Sequence, residues 1–277
     1  MKFTPRQLEG NVNVSKGHPL AELGWMIGGL LLVVLLVYLL LGFGADYLAE
    51  RMPVSFETRL GIAADEAFPG DDDTDLQERL DALLALVPKN SPLHQYSFRV
   101  LRSPIPEVNA IALPGGTIVV FAGLLDKVES ENELAMVLAH ELGHFAHRDH
   151  LKKLGRGLGL TALSLVLFGQ DSAVTDMVSR AFITFDSGYS RKQESAADSF
   201  GLKLLVARYG HAGGSTDFFA RMSQEAGSKT AYLLASHPHP ESRIDALQRM
   251  IEQAGYGEKA VEPLLIKLHP EGINGIQ

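Results

Sequence analysis

The sequence predicts a mainly helical α+β domain with a small β-sheet, preceded by one transmembrane helix. Two observations support this fold class. Amphipathic and apolar helical patterns dominate the chain after residue 74, whereas strand-like alternation is confined to residues 96–121. Near the N-terminus, the uncharged run Leu23–Ala45 is long enough to cross a hydrocarbon core of about 30 Å as a helix.

Composition limits the classes of function. The chain has 277 residues, 46% of them hydrophobic, which suffices for one folded domain and a small appendage. Its formal net charge of −8, without a basic stripe carrying interleaved aromatics, argues against nucleic acid as a partner. There is no cysteine, which excludes disulfides, cysteine nucleophiles and thiolate metal sites. Histidine and carboxylate side chains remain as candidate metal ligands.

The apolar run separates a polar segment, residues 1–22, from the rest of the chain. We interpret residues 23–45 as an uncleaved anchor in contact with membrane lipid. The alternative is a cleavable signal peptide, whose apolar region is normally about 7–15 residues long and is followed by a small-x-small site. Here the run is longer, and Phe43-Gly44-Ala45 lacks the first small residue.

The distribution of basic residues predicts the orientation of the anchor. Lys2, Arg6 and Lys16 precede the run, whereas Arg51 and Arg59 follow it. This slight positive-inside bias predicts a cytoplasmic N-terminus. We therefore expect a single-pass protein of a bacterial inner membrane, with its folded domain, residues 53–260, in the periplasm and residues 261–277 as a C-terminal tail.

The first part of the folded domain shows one helix and three strands. Asp75–Val87 is an amphipathic helix, and Tyr96–Val100 alternates as a half-buried strand would. Two further strands, Val108–Leu113 and Thr117–Phe121, flank the tight turn Pro114-Gly115-Gly116.

The helix beginning at Ser130 or Glu131 carries the most informative motif. His140, Glu141 and His144 form H-E-x-x-H, and residues four apart lie on one face of a helix. Two imidazoles at this spacing can bind one Zn²⁺, and Glu141 can then act as a general base. The competing interpretation is an amphipathic helix with two surface histidines, but the regular apolar context favours a metal-binding helix.

A second apolar run, Gly157–Gly169, follows the metal helix. Its thirteen residues are too few for an ordinary transmembrane span. Three interpretations are open: a packed helix, a segment that dips into the membrane, or a flexible cover over the cleft.

The third metal ligand is expected on a later helix, in the segment Arg191–Leu202. Glu194 and Asp198 lie four apart there, separated by small residues that allow close helix packing. We assign Glu194 as the third ligand, which leaves the open position of a catalytic zinc site. Asp198 would accept the outer N–H of a ligand histidine. The alternative for Glu194 is a surface carboxylate paired with a neighbouring basic residue.

The stretch Ala235–Ile244 contains two histidines and an arginine in a proline-rich loop. His237 or His239 could support the transition state or occupy the open zinc position in a resting state. Arg243 could bind Asp198 or hold the loop. The competing interpretation of this stretch is a rigid, solvent-facing turn.

These residues resemble the zinc metallopeptidase family that contains the heat-shock protease HtpX and the CAAX prenyl proteases. The resemblance covers about residues 53–254 and rests on four motifs: Asn109–Leu125, His140–His144, Glu194–Asp198 and Ser236–Ile244. It implies a zincin-like domain holding one Zn²⁺, with His140, His144 and Glu194 as ligands and Glu141 as the general base. It also makes Asn109, Ala110, Ile111 and Ala112 the strand that pairs with an extended substrate. The single span departs from the multi-spanning members.

The sequence therefore predicts a membrane-anchored zinc metalloendopeptidase acting on polypeptides. The resemblance implies a role in quality control of misfolded membrane or envelope proteins. The alternative is a membrane-anchored chaperone-like or latent binding module with a closed zinc site.

Overall fold

The computed structural model describes residues 18–65, 68–170, 172–177, 189–225, 233, 235–238 and 240–265. Its first helix, α1 (Pro19–Arg51), contains the whole uncharged N-terminal run and is followed by α2 (Val54–Asp65). By length and composition, α1 can cross a membrane. The predicted transmembrane segment is therefore helical, and it continues beyond the apolar run toward the folded part of the chain.

Helix α3 (Thr74–Leu84) starts one residue before the predicted helix and ends three residues earlier. Asp73 caps it by accepting a hydrogen bond from the backbone nitrogen of Leu76 at 2.8 Å. A 3₁₀ helix, Pro92–Gln95, then leads into the sheet.

The sheet contains four strands in the order β1-β2-β4-β3: β1 (Asp71–Asp72), β2 (Arg99–Ser103), β3 (Ala110–Leu113) and β4 (Thr117–Phe121). Strand β4 is buried along its length, pairing parallel with β2 and antiparallel with β3. The predicted strand at Tyr96–Val100 was wrong in its start, because pairing begins only at Arg99. The rings of Tyr96 and Phe98 instead pack on Phe145, with centroids 5.5 Å and 5.1 Å away.

The β3–β4 hairpin confirms the predicted tight turn. Gly115 and Gly116 have φ values of 89° and 108°, which favour glycine. The turn lies against α2 so closely that a Cβ at Gly61 would fall 2.2 Å from the carbonyl oxygen of Pro114. The hairpin is thus fixed to the helix that follows the anchor.

The remaining helices complete the domain. Among them α5 is the centre, since its residues from Glu131 to Phe145 are all buried. It begins after Ser130, which caps it by accepting the Glu133 N–H at 3.2 Å, so the predicted start is confirmed. The helices are α4 (Ala122–Leu125), α5 (Glu131–Ala146), α6 (Asp149–Phe168), α7 (Arg191–Tyr209), α8 (Asp217–Gln224) and α9 (Pro240–Ala254).

Small residues bring α5 and α7 into close contact. A Cβ at Gly143 would lie 2.8 Å from the Cα of Ala197, and one at Gly201 would lie 3.2 Å from the backbone nitrogen of His140. This approach is what the predicted helix pair needs to place its polar side chains together. The architecture confirms the predicted mainly helical α+β class with a small sheet.

The second apolar run is helical, because Gly157–Phe168 forms the C-terminal half of α6. Helix α6 packs along α1, where a Cβ at Gly155 would lie 3.0 Å from the Cβ of Ala45. The run is therefore a helix packed on α1, and its other face is exposed.

The chain after α9 returns to the start of α5. The Glu131 N–H donates to the carbonyl of Glu262 at 3.0 Å, and the Glu262 N–H donates to Oδ1 of Asn132 at 2.9 Å. The part of the expected tail that the structure describes, through residue 265, therefore packs on the metal helix. The boundary at residue 261 stays a prediction.

Candidate metal centre

Four buried side chains converge on one point between α5, α7 and the segment before α9. One ligand atom from each of His140, His144, Glu194 and His237 lies within 4.8 Å of all the others. His140 Nε2 is 3.1 Å from His144 Nε2 and 3.3 Å from His237 Nδ1. Both α5 histidines approach Glu194 carboxylate oxygens at 3.6 Å. The three predicted ligands are thus brought together, joined by His237.

The outer nitrogens of the two α5 histidines face carboxylates. His140 Nδ1 is 2.9 Å from Asp198 Oδ1, and His144 Nδ1 is 3.1 Å from Asp149 Oδ2. Because an ionised carboxylate only accepts hydrogen bonds, we assign the proton of each imidazole to Nδ1. When both imidazoles are neutral, the two Nε2 lone pairs face each other across 3.1 Å.

This arrangement suits a cation. Ligands at about 2.0–2.2 Å from a tetrahedral zinc lie about 3.3–3.6 Å from one another, close to the separations found here. Burial, the largest effect, lowers the pKa of His144 to about 3, so its imidazole is neutral at pH 7 and free to bind a metal. The donor set of histidine nitrogens and a carboxylate oxygen fits Zn²⁺.

A buried arginine holds the carboxylates of α7. Arg243 donates to Asp198 through Nε at 2.9 Å and Nη2 at 2.6 Å, and its Nη1 is 2.9 Å from Glu194 Oε2. Burial raises the pKa of Asp198, but Arg243 and His140 outweigh it and leave the pKa well below its ordinary value. Arg243 therefore fixes Asp198, which in turn fixes His140. Arg243 lies in the first turn of α9.

Glu141 lies beside the four donors without joining them. Its Oε2 is buried without a hydrogen-bond partner in the described chain, and its Oε1 is 3.7 Å from His237 Nε2. Burial raises the pKa of Glu141 above its ordinary value. A buried carboxylate with an unpaired oxygen and a raised pKa is suited to accept a proton.

The two loop histidines could not be distinguished by sequence. The structure places His237 inside the site, where its Nδ1 is 3.1 Å from Glu194 Oε1. His239 lies outside the described residues.

The predicted substrate strand corresponds to β3, with Asn109 just before it. Ala110 and Ala112 are buried and Ile111 is half-buried. Strand β3 is at the edge of the described sheet and pairs there only with β4. The Asn109 side chain accepts a hydrogen bond from Ser236 Oγ at 3.2 Å, which connects this edge to the segment carrying His237.

Sequence reasoning missed two residues at the site. Asp149 is buried against His144 and accepts a second hydrogen bond from Gln193 Nε2 at 2.9 Å. The Tyr189 ring stacks on His144 with centroids 3.7 Å apart. Asp149 follows Arg148, whose φ of 54° is in the left-handed region. An acidic residue five positions after the second histidine is the signal that could have identified Asp149.

The sequence of the chain is similar to those of several known proteins. The chain is 32% identical over 172 residues to the mitochondrial metalloendopeptidase OMA1 of Arabidopsis thaliana, covering 62% of this chain and 34% of that protein. It is 30% identical over 151 residues to the metalloprotease YcaL of Escherichia coli, covering 52% of this chain and 59% of that one. A putative β-barrel assembly-enhancing protease of Vibrio cholerae is also 30% identical over 151 residues, covering 50% and 31%.

The chain spans only about a third to a half of the length of its mitochondrial relatives. The sequence model that describes peptidase family M48 matches residues 71–251 of this chain. This range contains the sheet, the metal helix and the four converging side chains, and it excludes α1. The chain belongs to peptidase family M48.

Proposed function

We propose that this chain is a membrane-anchored zinc metalloendopeptidase that hydrolyses peptide bonds of polypeptide substrates. The observation that carries the proposal is the buried carboxylate of Glu141, whose Oε2 has no hydrogen-bond partner in the described chain, beside four converging metal donors. In this proposal His140, His144 and Glu194 hold the zinc. When bound, zinc polarises the scissile carbonyl and acidifies the attacking water.

The chain's own groups perform the remaining tasks. Glu141 takes a proton from the attacking water and delivers it to the leaving amine, for which burial has raised its pKa. Asp198 and Asp149 keep the two α5 imidazoles oriented. The edge strand β3 pairs with the extended substrate backbone through its open side.

The biological assignments are also part of the proposal. We place the chain as a single-anchor relative of HtpX and the CAAX prenyl proteases, with residues 53–260 as the peptidase domain. Its anchor α1 would hold it in a bacterial inner membrane with the domain in the periplasm, in quality control of misfolded membrane or envelope proteins. The apolar helix and the names of the bacterial relatives support this setting.

Glu141→Gln tests the reaction. The variant keeps the size of the side chain but cannot accept the proton, so the full-length chain in detergent should lose cleavage of unfolded casein by a factor of at least about 10². Glu241→Gln, at an exposed position in the first turn of α9, is the matched control. Full proteolysis by purified Glu141→Gln would contradict the assignment.

A specific observation favours a second state, in which the enzyme is latent. His237 Nδ1 is 3.3 Å from His140 Nε2, so His237 is placed to be a fourth donor and close the position that a catalytic site leaves open.

His237→Ala separates the two roles of this histidine. If His237 closes the site, its removal opens a position for substrate, and casein cleavage should rise severalfold while zinc is retained. A fall in kcat with unchanged KM would instead assign His237 to support of the transition state.

A further inference from the structure

Helices α6 and α1 run side by side in opposite directions. A Cβ at Gly155 would touch Ala45, and one at Gly159 would touch Leu41 at 3.5 Å. From the first contact to the second, the position moves four residues toward the C-terminus of α6 and four residues toward the N-terminus of α1. Small residues at these positions allow the two helices to pack closely over this length.

Ion pairs join the first half of α6 to the C-terminal end of α1. Arg156 donates to both carboxylate oxygens of Asp46 at 2.7 and 2.8 Å, and Lys152 Nζ is 3.8 Å from Glu50 Oε1. Asp46 is the first charged residue after the apolar run of α1. The charged groups therefore lie where α1 would leave the hydrocarbon core.

Beyond Arg156 the register carries α6 into the level of the anchor. Val166 is seven residues after Gly159 on α6, and Val34 is seven residues before Leu41 on α1. Continuing the register of the two contacts therefore brings Val166 to the level of Val34, the middle of the uncharged run. No charged residue occurs in Gly157–Gln170. Any environment that surrounds α1 at this level therefore also surrounds the second half of α6.

The surface of this half of α6 is apolar. Val166 is 82% exposed, and Leu158, Leu167 and Phe168 each expose more than half of their surface. The buried hydroxyl of Ser164 donates within the helix to the carbonyl of Thr161 at 2.8 Å, so it needs no water.

We infer that Gly157–Phe168 enters the same bilayer leaflet as the adjoining part of α1 and that lipid acyl chains cover its exposed face. The inference rests on the proposed membrane anchoring of α1. Twelve residues make about 18 Å of helix against a hydrocarbon core of about 30 Å, so α6 enters the bilayer without crossing it. The polar residues Gln170 and Ser172 follow shortly after. Placing their side chains in hydrocarbon would be unfavourable, so the insertion ends there.

This insertion sets the distance between the metal centre and the membrane surface. Asp149, which accepts the hydrogen bond of His144, precedes Arg156 by seven residues, or about 10 Å of helix. The proposed peptidase site then lies close to the membrane surface. Chain segments that emerge from the bilayer are accordingly within reach of this site.

The absence of cysteine allows a direct test on the full-length chain in lipid vesicles. Single cysteines at Val166 and, as an anchor control, at Val34 would carry an environment-sensitive fluorophore. Lys203→Cys, exposed on α7, is the aqueous control. We expect lipids with mid-chain nitroxides to quench the probes at residues 166 and 34 similarly and the probe at 203 hardly at all. Leu158→Cys, at a shallower level, should be quenched more by nitroxides placed near the headgroup.

Each other outcome is decisive. Quenching at residue 34 with a water-exposed probe at 166 would overturn the inference and leave the anchor intact. A probe at 166 shielded from both water and lipid would mean that protein, such as a second copy, covers α6. Water exposure at both 34 and 166 would overturn the anchor and the inference together, whereas casein cleavage by the same samples would still support the peptidase. Leu165→Cys replaces Val166→Cys if that variant does not retain zinc.

Discussion

The tautomers of the two α5 histidines depend on the carboxylates that surround them. His140 and His144 each direct Nδ1 at a carboxylate, and their Nε2 atoms therefore face the shared point. The helical spacing of the motif predicted which imidazoles meet. Helical spacing alone does not reveal Asp149, because this residue follows the end of the metal helix and the left-handed backbone at Arg148.

Asp149→Asn tests the importance of this orientation. An amide holds the imidazole proton less firmly than a carboxylate does, and loss of such a partner typically weakens metal binding by about 10–100-fold. Competition with a chromogenic chelator would measure zinc affinity, with Asp245→Asn on the exposed side of α9 as the matched control. Unchanged zinc affinity in Asp149→Asn would contradict this prediction and would show that Asp149 does not orient His144 for metal binding.

At the scale of elements, α2 connects the anchor to the sheet through one buried carboxylate. Glu57 is fully buried and accepts hydrogen bonds from Tyr96 Oη at 2.8 Å, His150 Nε2 at 2.6 Å and the Gly115 N–H at 3.2 Å. Burial raises the pKa of Glu57, but the contacts with His150, Tyr96 and Gly115 outweigh it and lower the pKa overall.

This lowered pKa predicts the direction of a pH effect. Folding favours the ionised form, so the contribution of Glu57 to stability is present above its unfolded pKa of about 4.3 and is lost as pH falls through the lower folded value. Glu57→Gln should lower the unfolding free energy at pH 7 by about 3 kcal/mol, because it leaves buried partners unmatched. It should also flatten the acid side of the stability profile.

Thermal unfolding in detergent between pH 3 and pH 7 would measure both effects. Glu78→Gln, at an exposed position of α3, is the control that should change neither the midpoint nor its pH dependence. An acid profile that is identical in Glu57→Gln and the wild-type chain would show that Glu57 does not stabilise the link between α2 and the hairpin.

Elements with a strong periodic signal were predicted well, and the others were not. The metal helix, the hairpin and the anchor follow from period, cap and turn residues. The alternation at Tyr96 and Phe98 resembled a strand because both rings pack on Phe145, a tertiary contact that local sequence does not reveal. The loop histidines were ambiguous because a proline-rich segment has no period from which to infer direction.

At the scale of the whole molecule, the metal helix is held at both ends. The segment after α9 bonds to its N-terminus. Beyond its C-terminus, Arg148 Nη1 donates to the carbonyls of Ala49 and Met52 at the end of α1, at 2.9 and 2.5 Å. Helix α1, the proposed membrane anchor, therefore also positions the site.

The central claim is that His140, His144 and Glu194 hold a catalytic zinc, with Glu141 as the general base. Zinc per chain, measured by mass spectrometry on full-length wild-type protein and Glu141→Gln, tests it most directly when casein cleavage is followed on the same samples. The account predicts one zinc in both proteins and cleavage only by the wild type. Wild-type protein that cleaves casein without zinc, or that binds none after incubation with the metal, would contradict it.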